Sequence, residues 1–296
     1  MKNILLSART ARDIDNHIDR LLRDLGNPGP PIRLEDVRQL LRLDLGYYSA
    51  ADAGFVREVV HAVKIGARQA LERPTLLVDA IRQLDLKALL LPDRKRILLD
   101  SALPILKQRW SEAHETVHSI LPWHGAVTMG DTKLTLAPGC HQQIEAEANY
   151  GAGRLLFLGG RFAERTRDVA PTMRNIMALH NDFGNTITTT LWRYVEGSDR
   201  ILFGLVSIHP HQSPEHVNAR DVCRYFIRSP QFALIFSDGI EKEIFRQLSG
   251  YCSHRKAGPL GQGEVILADA NGAPHAFSCE TFSNSYDVLT LGVYTI

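Results

Sequence analysis

The residues from His114 to His118 read His-Glu-Thr-Val-His, an HExxH string. On a helix, positions i and i+4 lie on one face about 6 Å apart along the axis, so both imidazoles can reach one metal ion. Zinc suits these donors, and Glu115 lies where it can take a proton from water and later pass it to a leaving amine. The string therefore predicts a zinc site with hydrolytic chemistry, in which Glu115 is the catalytic residue.

The helix that carries this string must also pack against a core. Apolar residues recur there at helical spacing, at Trp110, Ala113, Val117, Ile120 and Leu121. This periodicity indicates a core-packed helix rather than a solvated helix with two chance histidines. Upstream, residues 95–100 predict a short buried strand that ends in an acid and is a suitable edge for a peptide substrate.

A catalytic zinc takes three protein ligands, and a second helical pattern downstream carries two carboxylates, Glu145 and Glu147. We choose Glu145 as the third ligand, because Asn149 shares its face and can hydrogen-bond a ligand imidazole. Glu147 lies ~200° around the helix and is the alternative ligand. We expect Glu147 to be a solvated partner of Arg154 or Lys133 instead.

The same residues carry a resemblance to the ImmA/IrrE family of bacterial metallo-endopeptidases. The similarity runs from a basic and aromatic lead-in at 107–110, through HExxH, to the EAN at 147–149 and the leucine pair at 155–156, and a proline pair at 30–31 resembles the family's opening. It covers roughly residues 12–160. The resemblance implies a zinc endopeptidase that cleaves a protein substrate, a transcriptional repressor, in a bacterial stress, phage or mobile-element response.

The sequence leaves more than one candidate for the oxyanion donor and for the overall function. A donor for the oxyanion must exist, and His124, His141 and Tyr150 are the candidates. The rival interpretation is a non-catalytic transcriptional regulator or protein-binding scaffold that retains the zincin fold. The intact Glu115 argues against that interpretation, because a pure scaffold has no physical need for this carboxylate.

The whole chain predicts an α+β protein with a zincin-like helical metalloprotease core and a small sheet. We place the metallopeptidase domain at 1–160, with a helical insertion at about 50–85, and a helix-turn-helix-like segment at 161–198. Residues 199–296 form a C-terminal α/β domain, which by analogy resembles a GAF-like sensor module or recruits substrate.

Individual elements follow from hydrophobic periodicity. In the first domain we expect helices at 12–25, 36–41 and 143–157, strands at 89–91 and 97–99, and a hairpin at 126–136. In the C-terminal domain we expect strands at 201–208, 231–236, 264–268, 275–281 and 288–295, and helices at 217–228 and 238–248.

Residues 173–184 and 185–195 read as two helices joined by a glycine turn, which is the spacing of a helix-turn-helix. The second helix offers only Arg193 as a cation, too little to neutralise several phosphates. We therefore favour packing or protein docking over DNA binding for this pair.

Composition is that of a globular protein. The chain has 296 residues, of which 44% are hydrophobic and 23% charged, and its net charge of +1 gives no overall bias toward nucleic acid. Four scattered cysteines do not form a disulfide framework, so we expect reduced thiols. The first residues lack a signal peptide and no apolar run is long enough for a bilayer, which predicts a cytoplasmic protein without a membrane partner.

Overall fold

The computed structural model describes residues 4–48, 88–91, 95–128, 138–212, 222–237 and 239–295. The chain divides into two compact units. The N-terminal unit comprises Leu6–Gly160 with Phe183–Asn185, and the C-terminal unit comprises Met1–Leu5, Arg161–Asp182 and Thr186–Ile296. The predicted insertion at about 50–85 lies outside the described residues.

Five helices and three strands are described in the N-terminal unit. They are α1 (Ala8–Asp24), α2 (Leu34–Leu41), β1 (Asp44–Tyr48), β2 (Ala88–Leu91), β3 (Arg96–Asp100), α3 (Ile105–Ile120), α4 (Pro122–Thr128) and α5 (Pro138–Leu156). The three helices and two strands predicted for this region are confirmed. The predicted hairpin is wrong where it begins, because 126–128 belong to α4, and its remainder lies outside the described residues. Pro122 stands at the first position of α4, where its fixed φ favours a helix.

The small sheet has the order β1-β3-β2. Strand β1 pairs with β3 in parallel, and β2 pairs with β3 antiparallel, with Leu90 opposite Ile97. Strand β3 is therefore the central strand, and Ile97 and Leu99 on it are fully buried. The prediction that 95–100 offers an edge to a peptide is wrong, because both sides of β3 are already paired. Among the described residues, β2 pairs on one side only and so forms an edge of this sheet.

The packing of α3 against α5 positions the two halves of the candidate site. Ala113 and Val117 on α3 and Ala148 and Ala152 on α5 are fully buried. Small side chains at these positions let the two helix axes approach closely. The C-terminal end of α5 is bent back by Leu158 and Gly159, both with positive φ, so the second ligand helix ends at Leu156.

The rest of the chain adds five helices and five strands among its described residues. They are α6 (Gly160–Thr166), α7 (Met173–Phe183), α8 (Ile187–Glu196), β4 (Leu202–Ser207), β5 (Cys223–Arg228), α9 (Pro230–Ile235), α10 (Glu241–Leu248), β6 (Gly258–Ala268), β7 (Pro274–Ser283) and β8 (Val288–Tyr294). The strands form one antiparallel sheet in the order β5-β4-β8-β7-β6. With its helices and separate sheets, the protein is α+β, as predicted.

The C-terminal unit has its own core, built around five phenylalanines whose rings contact one another. They are Phe203, Phe226, Phe232, Phe236 and Phe277. Helix α8 packs on the same sheet, since the ring centroid of Trp192 lies 5.6 Å from that of Tyr225. The two helices predicted at 173–184 and 185–195 are present as α7 and α8, and Gly184 between them has a φ of +63°. The contacts group α7 and α8 largely with the sheet that follows them.

Two predicted elements of this unit are wrong. Residues 223–228 form strand β5 instead of a helix, and 230–235 form helix α9 instead of a strand. Tyr225, Phe226 and Ile227 are aromatic and β-branched residues that favour a strand paired with β4. Ser229 caps the next element through a 3.1 Å bond from the N–H of Phe232 to its Oγ, and Pro230 follows at the first helical position. No helix in the described part of the chain is long and apolar enough to cross a membrane.

Candidate metal centre

Three predicted ligands converge between α3 and α5. Nε2 of His114 lies 3.1 Å from Nε2 of His118 and 3.2 Å from Oε2 of Glu145. Nε2 of His118 lies 3.7 Å from Oε1 of Glu145. One donor atom from each of the three residues falls within 4.8 Å of the others, which makes them a possible metal-binding triad.

The separations fit a tetrahedral ion. Zinc binds imidazole nitrogen and carboxylate oxygen at about 2.0–2.2 Å, so two such donors at the tetrahedral angle lie about 3.3–3.5 Å apart. The two Nε2 atoms are 3.1 Å apart, and each faces a different oxygen of Glu145, at 3.2 and 3.7 Å, so the separations lie close to that value. Two histidines and a carboxylate leave a fourth tetrahedral position for water or substrate, as catalytic zinc sites do.

Asn149 fixes the orientation of the first histidine. Its Oδ1 lies 3.0 Å from Nδ1 of His114. An amide oxygen can only accept, so Nδ1 of His114 donates, and Nε2 is the ring nitrogen that faces His118 and Glu145. Asn149 is solvent-exposed, and it stands one helical turn after Glu145 on the same face of α5.

Glu147 does not reach the triad, and its predicted environment is wrong. It is 6% exposed rather than solvated, and its carboxylate accepts hydrogen bonds from Nε1 of Trp123 at 2.6 Å and Nε2 of Gln143 at 2.8 Å. Arg154, one of its two expected partners, pairs with Asp15 at 2.6 Å. Lys133 lies outside the described residues. The face of α5 that carries Glu147 is covered by α4, which the sequence analysis did not anticipate.

His124 contacts both Glu147 and His118, a role that the sequence analysis missed. Its Nε2 lies 3.1 Å from Oε2 of Glu147, and its Nδ1 lies 3.0 Å from Nδ1 of His118. Both ring nitrogens are thus engaged, and the residue is 2% exposed. The hydroxyl of Tyr150, another oxyanion candidate, donates to Asp15 at 3.1 Å. The side chain of His141 lies outside the described set.

Acidic groups make the triad favourable for a positive charge. Burial by itself lowers the pKa of His114, but its hydrogen bond to Glu145 and the charges of Glu115 and Glu145 raise it above its ordinary value. A proton on His114 is one way to supply that charge, and a divalent cation is another. Metal binding would therefore displace a proton from this imidazole.

Glu115 lies beside the triad on α3. Burial of its carboxyl group raises its pKa to about 7, the charge of His114 lowers it, and the charge of Glu145 raises it again. Hydrogen bonding to the backbone of Leu90 also lowers the pKa of Glu115. The HExxH helix packs beside β2, an edge of the small sheet among the described residues, so the Glu115 carboxylate, the candidate triad and a strand edge lie together.

His124 and Glu147, behind the triad, have pKa values that are both lowered. Burial lowers the pKa of His124, although its hydrogen bond to Glu147 acts in the opposite direction. Burial also acts to raise the pKa of Glu147, but hydrogen bonds from Gln143, Trp123 and His124 together lower it. A neutral imidazole next to a carboxylate anion follows from these directions.

No family model matches the chain, and no curated protein matches it. The chain is similar to a solved structure named as a Mycobacterium tuberculosis transcriptional regulator, with a TM-score of 0.53 and 10% sequence identity. The similarity covers 95% of this chain and 76% of that chain, and at this identity it shows a shared fold alone. The resemblance to the ImmA/IrrE family stays a prediction.

Proposed function

We propose that this protein is a zinc-dependent endopeptidase. The observation that carries the proposal is the convergence of His114, His118 and Glu145 within 4.8 Å, with the carboxylate of Glu115 beside them. A pure scaffold needs neither the open fourth position nor a carboxylate next to it. Both are what metal-dependent peptide hydrolysis uses.

The residues divide the chemistry among them. When bound, zinc would act as a Lewis acid that polarises the substrate carbonyl and makes water more acidic. His114, His118 and Glu145 would hold the ion, and Asn149 keeps the imidazole of His114 oriented. Glu115 accepts a proton from the attacking water, whose oxygen forms the new bond to the carbonyl carbon. As the C–N bond breaks, Glu115 returns that proton to the leaving amine, so one water is consumed for each bond cleaved.

The substrate proposal rests on the family resemblance. The residues that resemble the ImmA/IrrE family imply a transcriptional repressor as the protein that is cleaved, in a stress, phage or mobile-element response. Strand β2 supports a peptide substrate, because among the described residues it pairs only with β3, and an extended chain can add to the edge of a sheet. Strand β2 packs against the HExxH helix, so a peptide on it would lie near the triad.

The second candidate function is a non-catalytic transcriptional regulator. The structural neighbour named as a transcriptional regulator favours it, and the exposed surface of the C-terminal unit could then bind a protein partner or DNA. Under this alternative Glu115 would have no chemical task.

The test compares zinc-loaded protein with Glu115→Gln and with Glu164→Gln, a matched control at an exposed position of α6. Each is incubated with the repressor encoded next to its gene, and fragments are identified by mass spectrometry. We expect defined fragments from the wild type and the control, and intact repressor with Glu115→Gln. Binding of the repressor without cleavage by any of the three proteins would support the regulator instead.

A further inference from the structure

We propose that Glu147 and His124 are positioning residues, which hold His118 in one tautomer with its Nε2 lone pair facing His114 and Glu145. The proposal deepens the proposed metal site and rests on it, but it does not depend on the protein being a protease. It concerns hydrogen bonds of 3.1 Å between Glu147 and His124 and of 3.0 Å between His124 and His118.

The direction of each hydrogen bond follows from what the groups can do. The indole N–H of Trp123 can only donate, and it donates to Oε2 of Glu147. That carboxylate oxygen is therefore an acceptor, so Nε2 of His124 must donate to it. A neutral imidazole has one donor and one acceptor nitrogen, which makes Nδ1 of His124 the acceptor.

The same logic passes to the ligand. Since Nδ1 of His124 accepts, Nδ1 of His118 must donate to it. The proton of His118 is thereby held on Nδ1, and its Nε2 presents a lone pair to the triad. In His114 the amide oxygen of Asn149 holds a proton on Nδ1 in the same way. Both ligand imidazoles thus hold a proton on Nδ1, which leaves Nε2 as the nitrogen that would bind the metal.

Because they are buried, the hydrogen bonds from Glu147 through His124 orient His118 more firmly than Asn149 orients His114. The side chains of His124 and Glu147 are 1% and 9% exposed, so water cannot replace a lost partner there. A carboxylate at the far end of two imidazoles also increases the basicity of the ligand nitrogen. Asn149 is exposed, and water can take its place.

Two matched pairs of variants test the chain. In His124→Asn the side-chain oxygen stands near the position of Nδ1 and can still accept from His118, whereas His124→Leu cannot. In Glu147→Gln the indole of Trp123 keeps the amide oxygen turned toward His124, whereas Glu147→Leu removes the acceptor. We expect zinc affinity, measured by chelator competition, to fall about 10- to 100-fold in the leucine variants and to recover most of that loss in the amide variants.

A spectroscopic readout separates positioning from simple packing. Nitrogen-15 NMR of histidine-labelled protein reports which ring nitrogen of His118 carries the proton. In wild type we expect the proton on Nδ1 with and without zinc, and in His124→Leu a mixture of tautomers in the metal-free protein. A wild-type proton on Nε2, or equal zinc affinity in the leucine and amide variants, would overturn the proposal.

The outcomes remain distinguishable if parts of the scheme fail. If the wild type binds zinc but cleaves nothing, the proposed function fails while the affinity series still decides the positioning role. If no zinc binds, the tautomer in the metal-free protein decides it. Should the leucine variants not fold, the wild-type spectrum and the two amide variants decide it, because His118 must keep Nδ1–H in all three.

Discussion

Val117 on α3 and Gly151 on α5 lie so close that a Cβ added to Gly151 would come within 2.6 Å of Cγ1 of Val117. Carbon atoms in contact prefer a separation of about 3.5–4.0 Å, so only a glycine allows this approach of the two helices. Val117 stands next to His118, and Gly151 lies on the same helix as Glu145. The contact therefore sets the distance across which the triad closes.

Gly151→Ala should destabilise the protein and weaken zinc binding together. The clash costs about 1–3 kcal/mol, while the higher helix propensity of alanine returns at most about 1 kcal/mol. Urea unfolding of the metal-free protein and chelator competition measure the two effects. Gly160→Ala is the control, because a Cβ there meets nothing within 4 Å. Unfolding and zinc affinity equal to wild type in Gly151→Ala would show that α3 and α5 do not need this close approach.

Each residue of the triad should be needed for the metal. Purified protein should hold one zinc per chain, and His114→Ala, His118→Ala and Glu145→Ala should each lose most of it, because two ligands bind the ion far less tightly than three. Elemental analysis of the dialysed proteins measures this, with Glu164→Ala as a control. Full zinc content in any one of the three ligand variants would remove that residue from the site.

Asn149 should have a smaller effect than His124. Its bond to Nδ1 of His114 is exposed, so water can replace the amide oxygen in Asn149→Ala, and we expect a loss of zinc affinity of about tenfold, the lower end for a residue that orients a ligand. Asn149→Asp keeps an acceptor at the same place and should bind zinc at least as well as wild type. If zinc affinity fell more in Asn149→Ala than in His124→Leu, the expectation that the buried residue has the larger effect would be wrong.

The triad was predictable because local geometry determines it. His114 and His118 share a face on any helix. Glu145 needed only a second helix that turns the face with Glu145 and Asn149 toward them. The environment of Glu147 was not predictable in this way. Which face of α5 is buried depends on where α4 lies, and α4 follows a change of chain direction at Leu121, whose backbone is extended. No sequence spacing specifies the resulting contact between Glu147 and His124.

The C-terminal errors have a different cause. Short apolar runs fit a strand or a buried helix equally well. The predicted helix at 217–228 therefore contains a strand at 223–228, and the predicted strand at 231–236 is a helix. Ser229 followed by Pro230 is the start signal of a helix, and it would have identified α9 and left 223–228 as a strand. Over six residues, hydrophobic periodicity cannot distinguish a helix from a strand, whereas the residues that cap a helix can be identified from the local sequence.

Ser229→Ala should destabilise the C-terminal unit. The Oγ of Ser229 accepts from the N–H of Leu202 and the N–H of Phe232, each at 3.1 Å, and the residue is fully buried. Alanine leaves two backbone donors without this acceptor, which costs about 1–3 kcal/mol for each group left unpaired. Urea unfolding measures the loss against Ser249→Ala, whose hydroxyl is exposed. Equal stability of the two variants would mean that this cap contributes nothing to the fold.

Zinc should raise the stability of the N-terminal unit through the triad and independently of Glu115. A ligand that binds only the folded state stabilises it by about 2.7 kcal/mol when its free concentration is 100 times Kd. Thermal unfolding in a zinc buffer should therefore shift upward in wild type and in Glu115→Gln, since the amide variant keeps all three ligands. The shift should be absent in Glu145→Ala, because that variant lacks a ligand. A shift that Glu115→Gln loses and Glu145→Ala keeps would exchange the roles of the two carboxylates, and the geometry of the site would then have to be interpreted with Glu115 as a ligand.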